Sequence, residues 1–205
     1  MNLTSWLIAV GAVVVFVALV ILVLALRYRK VGPNEALIIA GGGKRTLTLA
    51  DGTKRKVGYR YRLGGGIFVW PGMEKVYVLP MDVISVSIRT PEVLTHGGVP
   101  IMAEASAQVK IDSSDETIHL AAEQFLGIGR DGIRDVAVNV LEGKVREVMG
   151  GMSVEEIYRG RQEFSSRVVQ AVKEDFSRMG LVMLSFALKD ISDTQGYIDS
   201  LSKPL

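Results

Sequence analysis

The chain has 205 residues, 48% hydrophobic and 22% charged, with 24 Lys and Arg against 22 Asp and Glu. That length buries a core in one or two domains, and the composition excludes disorder, a collagen-like repeat and, with no Cys, a disulfide scaffold. Charge is segregated: residues 1–30 hold three bases and no acid, residues 31–62 seven bases and two acids, and residues 63–205 carry 14 bases and 20 acids.

The hydrophobic excess is concentrated at the front. Trp6 to Leu26 are 21 consecutive residues without a charged or strongly polar side chain, and no second run approaches that length, which excludes a polytopic transporter. As a helix the run is about 31 Å long, close to the hydrocarbon thickness of a bilayer. Fifteen of its residues are Leu, Ile, Val or Phe, each favouring insertion by roughly 0.3–0.6 kcal/mol at central positions. Trp6 and Tyr28 stand at its ends, where amphipathic rings prefer the interface. A cleaved signal peptide needs a basic leader, a shorter apolar core and a small-residue cleavage site. Here Met-Asn-Leu-Thr-Ser precedes the run and Arg27-Tyr28-Arg29-Lys30 follows it, a pattern that predicts an uncleaved anchor. Arg27, Arg29 and Lys30 orient it, since flanking bases stay cytoplasmic. The expectation is a single-pass protein of the cell membrane: residues 1–5 outside, a span over 6–26, a basic stop at 27–30 and the bulk of the chain in the cytoplasm. Acyl anchors have no attachment point, because residue 2 is Asn and Cys is absent.

Residues 31–112 read as strand-rich. Val31-Gly32-Pro33-Asn34 is a break, and Ala36 to Ile39 a short strand that Gly41-Gly42-Gly43 ends. A hairpin follows, with Leu47 and Leu49 leading through an Asp51-Gly52 turn into alternating Val57, Tyr59, Tyr61 and Leu63. Gly64 to Gly66 separate it from Ile67 to Trp70 and a Pro71-Gly72 turn, before strands at Lys75–Leu79 and Val83–Arg89. From Ile101 to Ile111 apolar and polar residues alternate strictly, the mark of a strand with one buried face. Its alanines call for a helix packed close against it.

Residues 113–195 read as helix-rich. Ser113 and Glu116 form a capping box for a helix to about Leu126. Ile133, Val136, Ala137, Val140, Leu141, Val145, Val148 and Met149 keep helical spacing, interrupted by Lys144, with Glu142 and Arg146 as an i,i+4 pair. Gly150-Gly151 stops that helix. Ser153 and Glu156 cap another, interrupted near Gly160 and resuming through Phe164, Val168, Val172 and Phe176 to Gly180. Val182, Leu184, Phe186 and Leu188 alternate as a final strand, so the class is α+β, with a mostly antiparallel sheet and packed helices.

Chemistry-bearing motifs are few. Gly127-x-Gly129-x-x-Gly132 matches the dinucleotide fingerprint as a string, yet that fingerprint needs a preceding strand, and here a capped helix precedes it. The triple glycines lack the Lys-Ser/Thr of a phosphate loop. His96 and His119 are the only histidines and have no metal-ligand spacing. Asp115-Glu116, Glu155-Glu156 and Glu174-Asp175 fall in helices, whose first turns favour acids. No catalytic, cofactor or metal residues are expected. The basic cluster Lys44, Arg45, Lys54, Arg55, Lys56, Arg60 and Arg62 reads either as a solvated hairpin face or as a contact for anionic lipid. Nucleic acid is not an expected partner of a tethered domain that is acidic as a whole.

Several segments resemble the flotillin branch of the SPFH (stomatin, prohibitin, flotillin; band 7) superfamily, bacterial type. They are Val31–Ile39, Trp70–Val76, Thr95–Pro100, Met152–Tyr158 with Arg161 and Phe164, and Lys189–Asp193 with Gly196-Tyr197. The resemblance implies a non-enzymatic scaffold that assembles into a large homo-oligomer and organises membrane lipids and client membrane proteins. It also implies a helical coil beginning near residues 196–205, where this chain ends at Lys203-Pro204-Leu205, as a fragment or a short form would. Two other functions compete: an accessory subunit regulating a membrane protein such as a protease, and a tethered nucleotide-dependent enzyme using Gly127–Gly132.

Overall fold

The computed structural model describes residues 3–26, 28–48, 54–69 and 74–198. They form α1 (Leu3–Leu26), β1 (Tyr28–Thr48), β2 (Lys54–Phe68), β3 (Lys75–Pro80), β4 (Ile84–Arg89), β5 (Val93–Leu94) and β6 (Pro100–Ile111). Then come α2 (Asp115–Phe125), α3 (Gly129–Gly150), α4 (Val154–Arg159), α5 (Arg161–Arg178) and β7 (Leu181–Asp193). The chain divides into two compact units, Met1–Val78 and Leu79–Leu205.

In the first unit, α1 contains the whole apolar run. Its described side chains, Trp6 and Val10 to Leu26, are exposed, Phe16 at 70% and Leu26 at 76%. Judged on the described residues, no helix is long and apolar enough to cross a membrane. The described side chains of α1 reach only from Val10 to Leu26 without a gap, although its backbone is helical over 24 residues.

β1 and β2 pair antiparallel from Tyr28↔Phe68 at one end to Thr48↔Lys54 at the other, with β3 on the far side of β1. The glycine runs expected to end strands lie inside them. Pairing jumps between Val31 and Ala36 and again between Ala40 and Arg45, and resumes after each jump. Extra residues bulge out while the ladder continues on both sides, so one 21-residue strand replaces two short ones. Gly41, Gly64 and Gly65 supply the positive φ these irregularities use, at 114°, 61° and 84°. The Asp51-Gly52 turn, Trp70 to Met73 and Lys203 to Leu205 lie outside the described residues.

The second unit is an antiparallel sheet with β6 at its centre, paired with β4 and β5 on one side and β7 on the other. Ile101, Ala103, Ala105, Ala107, Val109 and Ile111 are all buried, as their alternation predicts. Helices pack on the sheet: α2 against β6, α3 against β4 and α5 against β7. β6 pairs with β4 and β5, which precede the helices in sequence, and with β7, which follows them, so one sheet draws on both sides of the helical stretch. Buried Thr90 closes the end of β4: its Oγ1 accepts the Ala103 N–H at 2.9 Å.

Three local readings shift. The N-cap of α2 is Ser114, not Ser113; its Oγ accepts the Thr117 N–H at 3.4 Å, while the Thr117 hydroxyl donates to the Asp112 carbonyl at 3.1 Å. Lys144, the break in the apolar pattern of α3, lies 2.9 Å from Glu147 and 3.5 Å from Asp175, tying α3 to α5. β7 carries two register shifts against β6, so its expected single apolar face is broken: Val182 stands opposite Lys110, Phe186 opposite Ala107, and Leu184, opposite no β6 residue in that ladder, is 48% exposed. The Ser153–Glu156 capping box forms as read, with Ser153 N–H donating to Glu156 Oε2 at 2.7 Å and Glu156 N–H to Ser153 Oγ at 3.2 Å.

Candidate membrane-facing site

The hairpin gathers most of the predicted basic residues at its two ends, with Arg60 and Arg62 between them opposite Ile39 and Leu37. Arg29 and Lys30 pair with Ile67 and Gly66 near its base, where the chain leaves α1, and Arg27 lies outside the described residues. At the far end Arg45 stands opposite Val57, and Thr46, Leu47 and Thr48 opposite Lys56, Arg55 and Lys54; Lys44 falls in the second bulge. The side chains of Arg29, Lys30, Lys44, Arg45, Lys54, Arg55 and Lys56 lie outside the described residues. Along β2, Phe68 and Lys54 are fourteen steps apart, about 46 Å at strand rise.

Arg60 has a different role. Its guanidinium donates to both carboxylate oxygens of Glu74, at 2.9 and 3.0 Å, and the Glu74 side chain is only 6% exposed. A charge-assisted pair holding a buried carboxylate is structural first. Arg62, on the same strand, is exposed. Sequence reasoning missed Glu74, because no local spacing rule pairs positions fourteen apart.

Of the fingerprint glycines, Gly127 lies between α2 and α3, Gly129 opens α3 and Gly132 lies in its first turn. Gly127 and Gly129 have φ of 85° and 69°, and a Cβ on Gly132 would meet Ile128 at 2.9 Å. They shape a helix–helix turn, and the element before them is α2 rather than a strand. His96 lies in the turn before β6, its N–H donating to the Met152 carbonyl at 3.0 Å. His119 is half-buried on α2; burial lowers its pKa, opposed by Asp115 and Glu123 on the same helix. Among the described residues no three His, Asp or Glu converge on a metal position.

Residues 29–205 match the family model described as "SPFH domain / Band 7 family". The chain belongs to this family. Within it, the SPFH chain is 40% identical over 197 residues to "Flotillin-like protein FloT" of Bacillus subtilis (strain 168), covering 95% of this chain and 38% of that protein. It is 37% identical over 171 residues to "Flotillin-1" of Drosophila melanogaster (83% and 37% covered) and 34% identical over 173 residues to "Flotillin-1" of Homo sapiens (84% and 38%). These relatives place it in the flotillin branch, as the segments quoted above indicate. The chain spans less than two fifths of their length.

Proposed function

We propose that this chain is the membrane-anchored SPFH portion of a flotillin-type scaffold, which assembles laterally and organises lipids and proteins in the membrane, without enzymatic activity. The observation that carries the reading is α1: a 24-residue helix whose described side chains, Trp6 and Val10 to Leu26, are apolar and exposed, leading into an SPFH domain. A surface of that kind is unfavourable in water and is covered when the helix lies across a bilayer. With Arg27, Arg29 and Lys30 behind it, the SPFH domain faces the cytoplasm as a single-pass protein. The basic far end of the hairpin and Arg62 then meet anionic lipid, each base adding about 1 kcal/mol near such a surface. Arg60 is left out of that contact because Glu74 holds it.

Gentle detergent extraction followed by native sizing and cross-linking tests the reading. Homo-oligomers far larger than a dimer are the expected result. A monomer, or a stoichiometric complex with one different membrane protein and no self-contacts, overturns the scaffold; the second outcome points to an accessory subunit.

A further inference from the structure

We propose that residues 193–198 form a clamp, closed by Tyr197 on Glu155, that fixes the direction in which the chain leaves β7. β7 ends at Asp193, opposite Ile101 of β6, and a helical turn opens at Tyr197 and Ile198. Asp193 joins the two: its carboxylate accepts the Tyr197 N–H at 2.5 Å and the Ile198 N–H at 3.4 Å. Gly196 between them has φ +72° with open space around it, so the backbone reverses there without a packing constraint. A cap and a glycine alone leave a pivot.

Two side-chain ties remove that freedom. Thr194 Oγ1 donates to Glu92 Oε1 at 2.9 Å, just ahead of β5, and Tyr197 Oη donates to Glu155 Oε1 at 2.5 Å, in the first turn of α4. The segment is thus tied at two points to residues far away in sequence. A hydroxyl donating to a carboxylate is the strong kind of hydrogen bond, and it holds the Glu155 carboxyl below its ordinary range and the Tyr197 phenol above its own. The groups are exposed or half-buried, so their bonds add little to global stability; their effect is orientation. Two of the segments that carry the flotillin resemblance, Met152–Tyr158 and Gly196-Tyr197, meet in this one contact. The clamp is independent of the scaffold reading; only its consequence, one exit angle and hence one curvature for an assembly, rests on that reading.

The test uses the full chain, spin-labelled at Ser166 on α5 and at Ser200 and diluted with unlabelled protein. A single narrow distance is expected, broadening at least about two-fold in Tyr197→Phe and in Glu155→Gln, with the double variant no broader than either single one because both remove the same bond. Amide exchange at Tyr197 and Ile198 should quicken about ten-fold in Asp193→Ala while β6 amides keep their protection. Unchanged distances in both variants, additive broadening, or loss of protection throughout β6 overturns the clamp. Sizing the same samples separates the readings: small species with a narrow distance overturn the scaffold and support the clamp, and large assemblies with unchanged variants do the reverse.

Discussion

Gly180 is where one residue type is required. It links α5 to β7 at φ +72°, and a Cβ there would lie 2.3 Å from the Thr117 carbonyl and 2.8 Å from the Ala121 amide, both backbone atoms of α2. Gly180→Ala is expected to cost about 2–4 kcal/mol, from left-handed strain plus overpacking. Gly98→Ala, at φ +76° in open space, isolates the strain and should cost about 1–2 kcal/mol. Urea midpoints of the two variants check the difference, and equal midpoints contradict the close approach. The sequence shows a glycine ending a helix at Gly180 and one in a Gly-rich turn at Gly98; it does not show that α2 passes within contact of the first.

Glu156 gives a second residue-scale prediction. The Ser153 N–H bond leads the causes that hold its carboxyl below the usual range. A carboxyl depressed in the folded state adds stability that is present above the unfolded pKa and lost as pH falls toward the folded value. Glu156→Gln should therefore flatten the fall in stability over roughly pH 3–5, with no change of slope near neutrality. Urea midpoints against pH measure it, and parallel curves count against the box. This cap was legible because its donor and acceptor are three residues apart. The Ser113 reading slipped by one because two adjacent serines offer the same pattern, and the contacts of Thr117 with Asp112 and Ser114 decide between them.

At the scale of elements, α1 and β6 follow from pattern alone, one from unbroken hydrophobicity and the other from period-2 alternation. β1, β2 and β7 do not. Glycine runs and extra residues read as strand ends, but a ladder tolerates them when pairing on both sides is strong enough to force a bulge. For α1, Val15→Asp places a charge near the helix centre, where it costs about 2.5–3.5 kcal/mol in a bilayer. After an alkaline wash much less of this variant should remain with membranes than of Val15→Leu, and equal retention contradicts the span.

Across the whole molecule, charge follows the two units. Met1–Val78 carries 11 bases and three acids, +8, while Leu79–Leu205 carries 13 bases and 19 acids, −6. The proposed contact with anionic lipid is therefore assigned to the first unit. Replacing Lys54, Arg55 and Lys56 with Glu in a form lacking α1 should reduce flotation with phosphatidylserine vesicles at least about ten-fold at low salt, and far less at high salt, where screening removes the contact. Unchanged flotation returns these residues to a solvated face.

The sequence by itself determined what depends on neighbours along the chain: the apolar run, the buried face of β6, the helix stops, the Ser153–Glu156 box and the resemblance to flotillins. Each is written in a spacing of two, three or four residues, which local geometry converts directly into structure. Only the tertiary structure decided what depends on residues that are distant in sequence and adjacent in space. That is why Glu74 on Arg60, α2 against Gly180, Lys144 between α3 and α5, and Tyr197 on Glu155 had no counterpart in the pattern: packing chooses those partners, and periodicity carries no record of which surfaces will meet.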